Sequence, residues 1–133
     1  MYGSQALVLS LELKKDRNDW RVYGDAGRND LGFTIEEYLS KVPIGRVGEI
    51  FLTCVDTDGT LNGFPKDLLD KLVGLDQSVI LSGGISSGEE IAQLIVRNCL
   101  VKGVALGRVL HENILGISQL KSLLRARGFE VRT

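Results

Sequence analysis

Short apolar segments alternate along the chain with longer segments in which apolar residues recur every three or four positions. The short segments cover residues 6–13, 49–55, 78–81 and 103–106, and they are rich in β-branched residues. Nearly continuous apolarity over so few residues is typical of parallel strands that are covered on both faces. The pattern therefore predicts a parallel sheet.

The longer segments predict a helix after each strand, over residues 34–42, 66–73, 87–96 and 118–127. Thr34, followed by acidic residues, is a typical N-cap, and Gly128 is typical of the position just after a helix end. Residues 16–23 predict an additional hairpin arm in the long first connection, because Asn18-Asp19 suits a turn.

Repeated βα units form either an open doubly wound sheet or part of a (β/α)8 barrel. Glycines follow the strands here: Gly59 the second, Gly83 and Gly84 the third, and Gly107 the fourth. This favours a barrel-type site at the carboxyl ends of the strands. A full barrel takes about 250 residues. The 133 residues of this chain therefore predict an α/β fold with one domain, 1–133, that forms half of a (β/α)8 barrel. Its exposed strand edges predict pairing with a second copy or with a complementary half.

Composition excludes several classes of function. The chain has 16 Lys and Arg against 17 Asp and Glu, so it lacks the basic stripe that nucleic-acid binding requires. No apolar stretch approaches the roughly 20 residues that span a bilayer, and no charged-then-apolar leader is present. We therefore expect a cytoplasmic protein without membrane contact. Cys54 and Cys99, both flanked by aliphatic residues, are expected to be buried free thiols.

The second predicted strand runs directly into Asp56, Asp58 and Gly59. In a barrel this is where catalytic groups lie, because the strand fixes their position and the loop admits substrate. The alternative is an Asx-type turn, since Asp-Gly is a common turn dipeptide.

The glycines after the third and fourth strands favour a phosphate-binding site. Gly83 and Gly84 precede a predicted helix start, where free N–H groups and the helix dipole attract anions. Gly107-Arg108 would bring a second glycine turn and a guanidinium beside them. The alternatives are that Ser86 or Ser87 caps the helix, and that Arg108 is a solvated surface charge.

Two glutamates lie at opposite ends of predicted strands. Glu12, near the end of the first, would face a barrel mouth as a general acid or base, or form an ion pair with Lys14 or Lys15. Glu49 precedes its strand and belongs to the amino-terminal face, where stability is the usual role. His111 is the single histidine, so we expect no metal site.

Four stretches together resemble one family of enzymes: residues 2–15 (YGSQALVLSLELKK), 48–60 (GEIFLTCVDTDGT), 82–84 (SGG) and 128–132 (GFEVR). They resemble, in order, the C-terminal half of the cyclase subunit (HisF) of imidazole glycerol phosphate synthase, in the HisA/HisF histidine-biosynthesis barrel family. The family implies a lyase-type ring closure without metal or cofactor. Ammonia, released from glutamine by a partner glutaminase, adds to an open-chain ribulosyl ribonucleotide. The products are imidazole glycerol phosphate and an aminoimidazole carboxamide ribonucleotide.

The resemblance also implies roles for individual residues. Those that match the family's phosphate contacts are Asp58, Gly59, Gly84, Gly107 and Arg108, although the family often has a small polar residue where Arg108 stands. Gly83, beside Gly84, is a further candidate for the phosphate site. Glu49 matches the family's ammonia-gate glutamate. Glu12 matches its second catalytic aspartate, from which it differs by one methylene, and Asp58 is the other acid–base candidate. The first catalytic aspartate belongs to the N-terminal half, so we expect the isolated chain to be inactive.

Two other functions remain open at this point. One is a non-catalytic phosphate-binding or assembly module built from self-associated half-barrels, which the replacement of aspartate by Glu12 favours. The other is a cyclase-like subunit that delivers ammonia to a sugar in surface-polysaccharide synthesis.

Overall fold

The computed structural model describes residues 3–133, so Met1 and Tyr2 of the expected domain lie outside the described residues. Its six-stranded sheet has the order β3-β2-β1-β4-β5-β6. The strands are β1 (Val8–Asp16), β2 (Asp19–Gly24), β3 (Asn29–Thr34), β4 (Glu49–Cys54), β5 (Ser78–Ser82) and β6 (Val101–Ala105). The helices are α1 (Ile35–Lys41), α2 (Lys66–Leu69), α3 (Gly88–Arg97), α4 (Arg108–His111) and α5 (Ile117–Ala126). Short 3-10 turns cover Ser4–Ala6 and Ile44–Arg46.

The order of the parallel strands decides between the two predicted architectures. β1, β4, β5 and β6 are parallel and adjacent in the order in which they occur in the chain. A doubly wound sheet reverses its strand order, whereas a barrel adds each strand beside the previous one. The fold is therefore half of a (β/α)8 barrel, and it is open.

The hydrophobic core lies on one face of this sheet, beneath the helices. Leu11, Leu13, Ile50, Leu52 and Leu81 point to that face and are at most 2% exposed. The residues between them alternate to the other face and are half-buried or exposed. The expectation that the strands are covered on both faces is therefore wrong for this chain: only the helical face is covered by residues 3–133. We call the other face the concave face.

The first connection contains more strand than the sequence predicts. β1 continues to Asp16 and pairs antiparallel with β2, and β2 pairs antiparallel with β3. The predicted hairpin arm at 16–23 is thus confirmed, with the β1–β2 turn at Arg17 and Asn18. β3 was not expected, because its sequence is polar and contains Gly32. The indole of Trp20 is only 2% exposed, and it packs this extension against the core.

Helix ends follow the predicted capping chemistry. Thr34 accepts a hydrogen bond from the N–H of Glu37, whose carboxylate in turn accepts one from the N–H of Thr34. Gly128 has φ +84° and ends the last helix as predicted. The second helix is shorter than expected, since α2 ends at Leu69.

No helix in the described part of the chain has the length and apolarity needed to cross a membrane.

The two cysteines differ in environment. Both are free; Cys54 is buried, as predicted, whereas Cys99 is exposed. The expectation for Cys99 is wrong because it lies in the turn between α3 and β6, outside the packed part of either element. Burial is the main influence on Cys54, and it raises the pKa of that thiol.

Candidate active site

A cavity of about 170 Å³ opens at the carboxyl ends of β4, β5 and β6. Its lining includes all the residues that the sequence predicts for a phosphate site: Asp58, Gly59, Gly83, Gly84, Gly107 and Arg108. Ser82 and Ala105, at the ends of β5 and β6, complete its floor together with neighbouring apolar residues. Three separate strand ends therefore converge on one small cavity.

Close backbone packing explains the two glycines after β5. Gly83 and Gly84 have φ angles of +105° and +80°. A Cβ at Gly83 would overlap the backbone of Cys54, and a Cβ at Gly84 would lie 2.6 Å from the carbonyl oxygen of Gly63. Neither position has room for a side chain, so the turn after β5 packs directly against the chain after β4.

Thr57 is a further site residue that the sequence analysis did not single out. Its hydroxyl donates to the carbonyl oxygen of Gly83 at 3.2 Å. The N–H of Gly63 donates to the carbonyl oxygen of Gly84 at 2.8 Å. Together these hydrogen bonds join the turn after β5 to the chain after β4 beside the cavity. The signal for Thr57 was its position inside the Asp-Thr-Asp-Gly-Thr run.

Arg108 spans the cavity rim. Its Nη1 donates to the carbonyl oxygen of Gly59 at 2.7 Å, and its Nε lies 2.6 Å from Oε1 of Glu112. The side chain remains about half exposed. Arg108 is therefore neither buried nor a freely solvated charge, because it links α4 to the turn after β4.

Several backbone donors at the cavity have no acceptor among the residues that the structure describes. Within residues 3–133, the N–H groups of Gly59, Gly84 and Gly107 donate no hydrogen bond to backbone or side chain. Unpaired N–H groups beside a guanidinium are the features that bind an anion in a protein cavity.

Side chains cap the start of α3. Ser87 Oγ accepts from the N–H of Glu90, and the Glu90 carboxylate accepts from the N–H groups of Ser86 and Phe64. Side-chain capping is therefore observed, and the N–H groups of Ser86 and Glu90 at this helix start are already paired. The candidate anion site lies one turn upstream, at Gly83 and Gly84.

The two aspartates after β4 have different environments. Asp56 Oδ2 accepts a hydrogen bond of 2.8 Å from the N–H of Lys15 and so closes the end of β1. The Asp58 side chain lines the cavity and is exposed. The Asp56 carboxylate therefore binds a neighbouring strand and does not form an Asx-type turn, while Asp58 is left available to a ligand.

Glu12 lies on the concave face at the same level as the cavity floor. The strand registers align Glu12 with Thr53, Thr53 with Ser82, and Ser82 with Ala105. Paired residues of neighbouring strands point to the same face, and strands lie about 4.8 Å apart. The Glu12 backbone is therefore about 10 Å from that of Ser82, across one intervening strand.

The Glu12 carboxylate is held by the hairpin rather than by a lysine. Oε2 accepts a hydrogen bond of 2.9 Å from the backbone N–H of Gly27 in the β2–β3 turn. Lys15 instead pairs with Asp67, and the Lys14 ammonium lies 5.0 Å from the ring centre of Tyr23. The ion-pair alternative for Glu12 is thus not observed among residues 3–133.

Glu49 and His111 lie away from the cavity. Glu49 is half-buried at the first residue of β4, in register with Val8 and Ser78, at the opposite edge of the sheet. His111 is exposed in α4. The residues that line the cavity, at the carboxyl ends of the strands, are therefore separated from Glu49 by the length of the strands.

Comparison with known proteins agrees with the half-barrel fold. Residues 1–116 match the histidine biosynthesis protein family. The chain belongs to this family.

Individual proteins that are similar to this chain carry a more specific name than the family does. The imidazole glycerol phosphate synthase subunit HisF of Helicobacter hepaticus is 33% identical over 132 residues, which cover 98% of this chain and 52% of that protein. HisF of Wolinella succinogenes is 34% identical over 134 residues, with 98% and 52% covered. HisF of Metallosphaera sedula is 32% identical over 133 residues, with 99% and 53% covered. The chain thus spans about half the length of these relatives.

Proposed function

We propose that this chain supplies the C-terminal half of an imidazole glycerol phosphate synthase cyclase barrel. In this reaction ammonia adds to an open-chain ribulosyl ribonucleotide, and ring closure gives imidazole glycerol phosphate and an aminoimidazole carboxamide ribonucleotide. The observation that carries the proposal is the alignment of an anion-type cavity with a carboxylate two strands away on the same face.

The cavity size supports binding of one end of the substrate. Whole small-molecule sites are typically about 300–1,000 Å³, whereas this cavity is about 170 Å³. A phosphate group fits such a space. The N–H groups of Gly59, Gly84 and Gly107 would bind its oxygens, and Arg108 would balance its charge.

Glu12 and Asp58 are the proposed acid–base groups. Addition of ammonia and loss of water each require proton transfer, for which a positioned carboxyl group is suited. With the phosphate in the cavity, the reacting end of an extended substrate would reach across the concave face toward Glu12. Asp58 would be the acid–base group for the part of the substrate that lies beside the cavity.

The exposed edge of the sheet at β6 supports pairing with a second half-barrel. β6 is the last strand of the sheet, and an apolar groove of about 420 Å³ runs beside it, lined by Val104, Leu106 and Leu110 among others. We propose that a complementary half-barrel or a second copy pairs with this edge, because unpaired strand edges and uncovered apolar surface favour association.

A glutaminase is the proposed source of ammonia, with Glu49 as the gate on the amino-terminal face. A charged residue at the barrel floor would control passage toward the concave face. This role fits a cytoplasmic enzyme of amino-acid biosynthesis.

The test is ammonia-dependent turnover of the ribulosyl substrate, measured with and without an added N-terminal half-barrel. The mass of each species in solution is measured in parallel. We expect turnover only in the mixed complex, and loss of turnover on Asp58→Asn.

A different outcome would favour the non-catalytic module. That function predicts a stable homodimer that binds inorganic phosphate and gives no turnover even with the complementary half present. The observation in its favour is that Glu12 replaces the aspartate of the family.

A further inference from the structure

The β2–β3 turn folds onto the concave face beside Glu12. It spans residues 25–28, and the N–H of Arg28 closes it on the carbonyl oxygen of Gly24 at 3.1 Å. Asp25, Ala26 and Gly27 have φ angles of +53°, +55° and +76°. Consecutive left-handed residues direct the Gly27 N–H away from the hairpin ladder and toward Glu12.

The turn is tightly seated. Gly27 is buried, and a Cβ there would lie 2.6 Å from Cγ1 of Val55 and 2.9 Å from Cε of Lys14. Val55 follows β4 and Lys14 lies near the end of β1. Side chains from both strand ends therefore set how closely the Gly27 N–H approaches the sheet. A residue other than glycine at this position would lift the turn.

The length of the Glu12 side chain matches this arrangement. Its Oε2 reaches the Gly27 N–H at 2.9 Å, while Oε1 accepts no hydrogen bond from residues 3–133. An aspartate would withdraw the carboxylate by about one C–C bond, roughly 1.5 Å, and would break this hydrogen bond. One oxygen is thus anchored and the other is free to meet a reacting group.

We propose that Gly27 is a positioning residue, and that the β2–β3 turn holds the Glu12 carboxylate in its working orientation. The inference rests on the proposed function in one respect, that Glu12 acts in proton transfer. In this chain the longer glutamate and the close turn are a matched pair. Returning the family's aspartate at position 12 would therefore impair the site rather than restore it.

The first measurement needs no turnover. Amide hydrogen exchange of Gly27 is followed by NMR in the native chain and in three variants. We expect Glu12→Ala and Glu12→Asp to speed exchange of the Gly27 amide about tenfold or more, as loss of a charge-assisted hydrogen bond implies. Glu12→Gln keeps an acceptor at the same reach and should leave exchange within about threefold of native.

The Arg28 amide is the internal control, because it donates to Gly24 and not to Glu12. Its exchange should be unchanged in all three variants. Unchanged exchange of Gly27 in Glu12→Asp and Glu12→Ala would overturn the inference, whether or not the protein is an enzyme.

The second measurement uses the assembled barrel. We expect Gly27→Ala and Glu12→Asp each to lower kcat about tenfold or more with KM within about twofold of native, since misplacement of a catalytic group mainly affects the chemical step. Gly45→Ala is the matched control: it makes the same substitution at a glycine whose Cβ position has no atom within 4 Å, at the opposite end of the sheet, so kcat should equal the native value.

The two proposals fail in distinguishable ways. Absence of turnover in the native assembled barrel would refute the cyclase function and leave the exchange result standing. Native-like kcat in Glu12→Asp would refute the positioning role while leaving the cyclase function intact. If Gly27→Ala does not fold, Glu12→Asp carries the kinetic test.

Discussion

The indole N–H of Trp20 donates to Oδ2 of Asp67 at 3.2 Å, and the ammonium of Lys15 binds the same oxygen. Trp20 belongs to the hairpin and Asp67 to α2. One carboxylate oxygen therefore joins the antiparallel extension to the βα layer of the half-barrel. Because the hairpin also carries the turn that reaches Glu12, this contact lies in the supporting structure of the candidate site.

Trp20→Phe should lower stability without unfolding the chain. Phenylalanine keeps most of the buried ring contact and removes the N–H donor, which should cost about 1 kcal/mol. Thermal unfolding would show a drop in Tm of roughly 2–6 °C for a domain of this size. Trp20→Ala is the comparison, with an expected loss of about 3–5 kcal/mol from the cavity it leaves.

Asp67 should contribute to stability at neutral pH and lose that contribution in acid. Partial burial raises its pKa, but the hydrogen bonds from Lys15 and Trp20 outweigh burial, so the pKa of Asp67 in the folded chain is lowered. A carboxylate with a lowered folded pKa stabilises the fold above its unfolded pKa, about 3.9, and loses this effect as pH falls through the folded value.

The measurement is urea unfolding of native protein and Asp67→Asn from pH 7 to pH 3. Because the side chain is about half exposed, the difference at pH 7 should not exceed about 1 kcal/mol. It should stay constant down to about pH 5 and shrink below about pH 4. A difference that grows as pH falls would contradict this account.

The sequence predicts the regular part of the fold better than its extension. Strands β1, β4, β5 and β6 were predicted because continuous apolar runs are a strong signal. β3 was not, because Asn29, Asp30 and Gly32 show no alternation. It forms through backbone pairing with β2 and through the Asp30 carboxylate, which binds Arg21 and the N–H of Gly32. Local sequence does not reveal contacts of this kind.

The candidate site shows the same division. Glycines after strands indicated where the cavity lies: Gly59, Gly83 and Gly84 have positive φ angles at their strand ends, whereas Gly107 has a negative φ. The link between Glu12 and Gly27 was not predicted, because it depends on how a hairpin folds over the sheet. Cys99 was expected to be buried from its aliphatic neighbours, although its exposure is set by the turn in which it lies.

Two cavity glycines should respond very differently to alanine. Gly83 has φ +105° and its Cβ position overlaps the backbone of Cys54, whereas Gly59 has φ +71° with no atom within 4 Å of its Cβ position. Gly59→Ala should cost about 1–2 kcal/mol for the left-handed conformation alone. Gly83→Ala should cost more than about 3 kcal/mol, because the backbone must move as well. Equal losses in denaturant unfolding would contradict the packing described.

Thiol labelling should distinguish the two cysteines. Cys99 is exposed and should react rapidly with a thiol reagent at pH 8, whereas Cys54 is inaccessible and burial raises its pKa. We expect one fast thiol per folded chain, and a second after unfolding in guanidinium. Cys99→Ser should remove the fast reaction entirely. Two fast thiols in the folded protein would show that the strand end at Cys54 opens.

Arg108 should determine the affinity of the cavity for phosphate. Arg108→Ala removes the cation at the rim and the hydrogen bond to Gly59, so inorganic phosphate should bind about tenfold more weakly, as expected for loss of one Arg–phosphate contact. Glu112→Gln removes the competing carboxylate and keeps the guanidinium, so it should strengthen binding by a few-fold. Arg125→Ala, an exposed arginine on α5, controls for net charge and should leave affinity unchanged. Calorimetric titration at constant ionic strength measures all four proteins. If Arg108→Ala and Arg125→Ala weaken binding equally, the anion responds to overall charge rather than to the cavity, and Arg108 has no specific role in binding it.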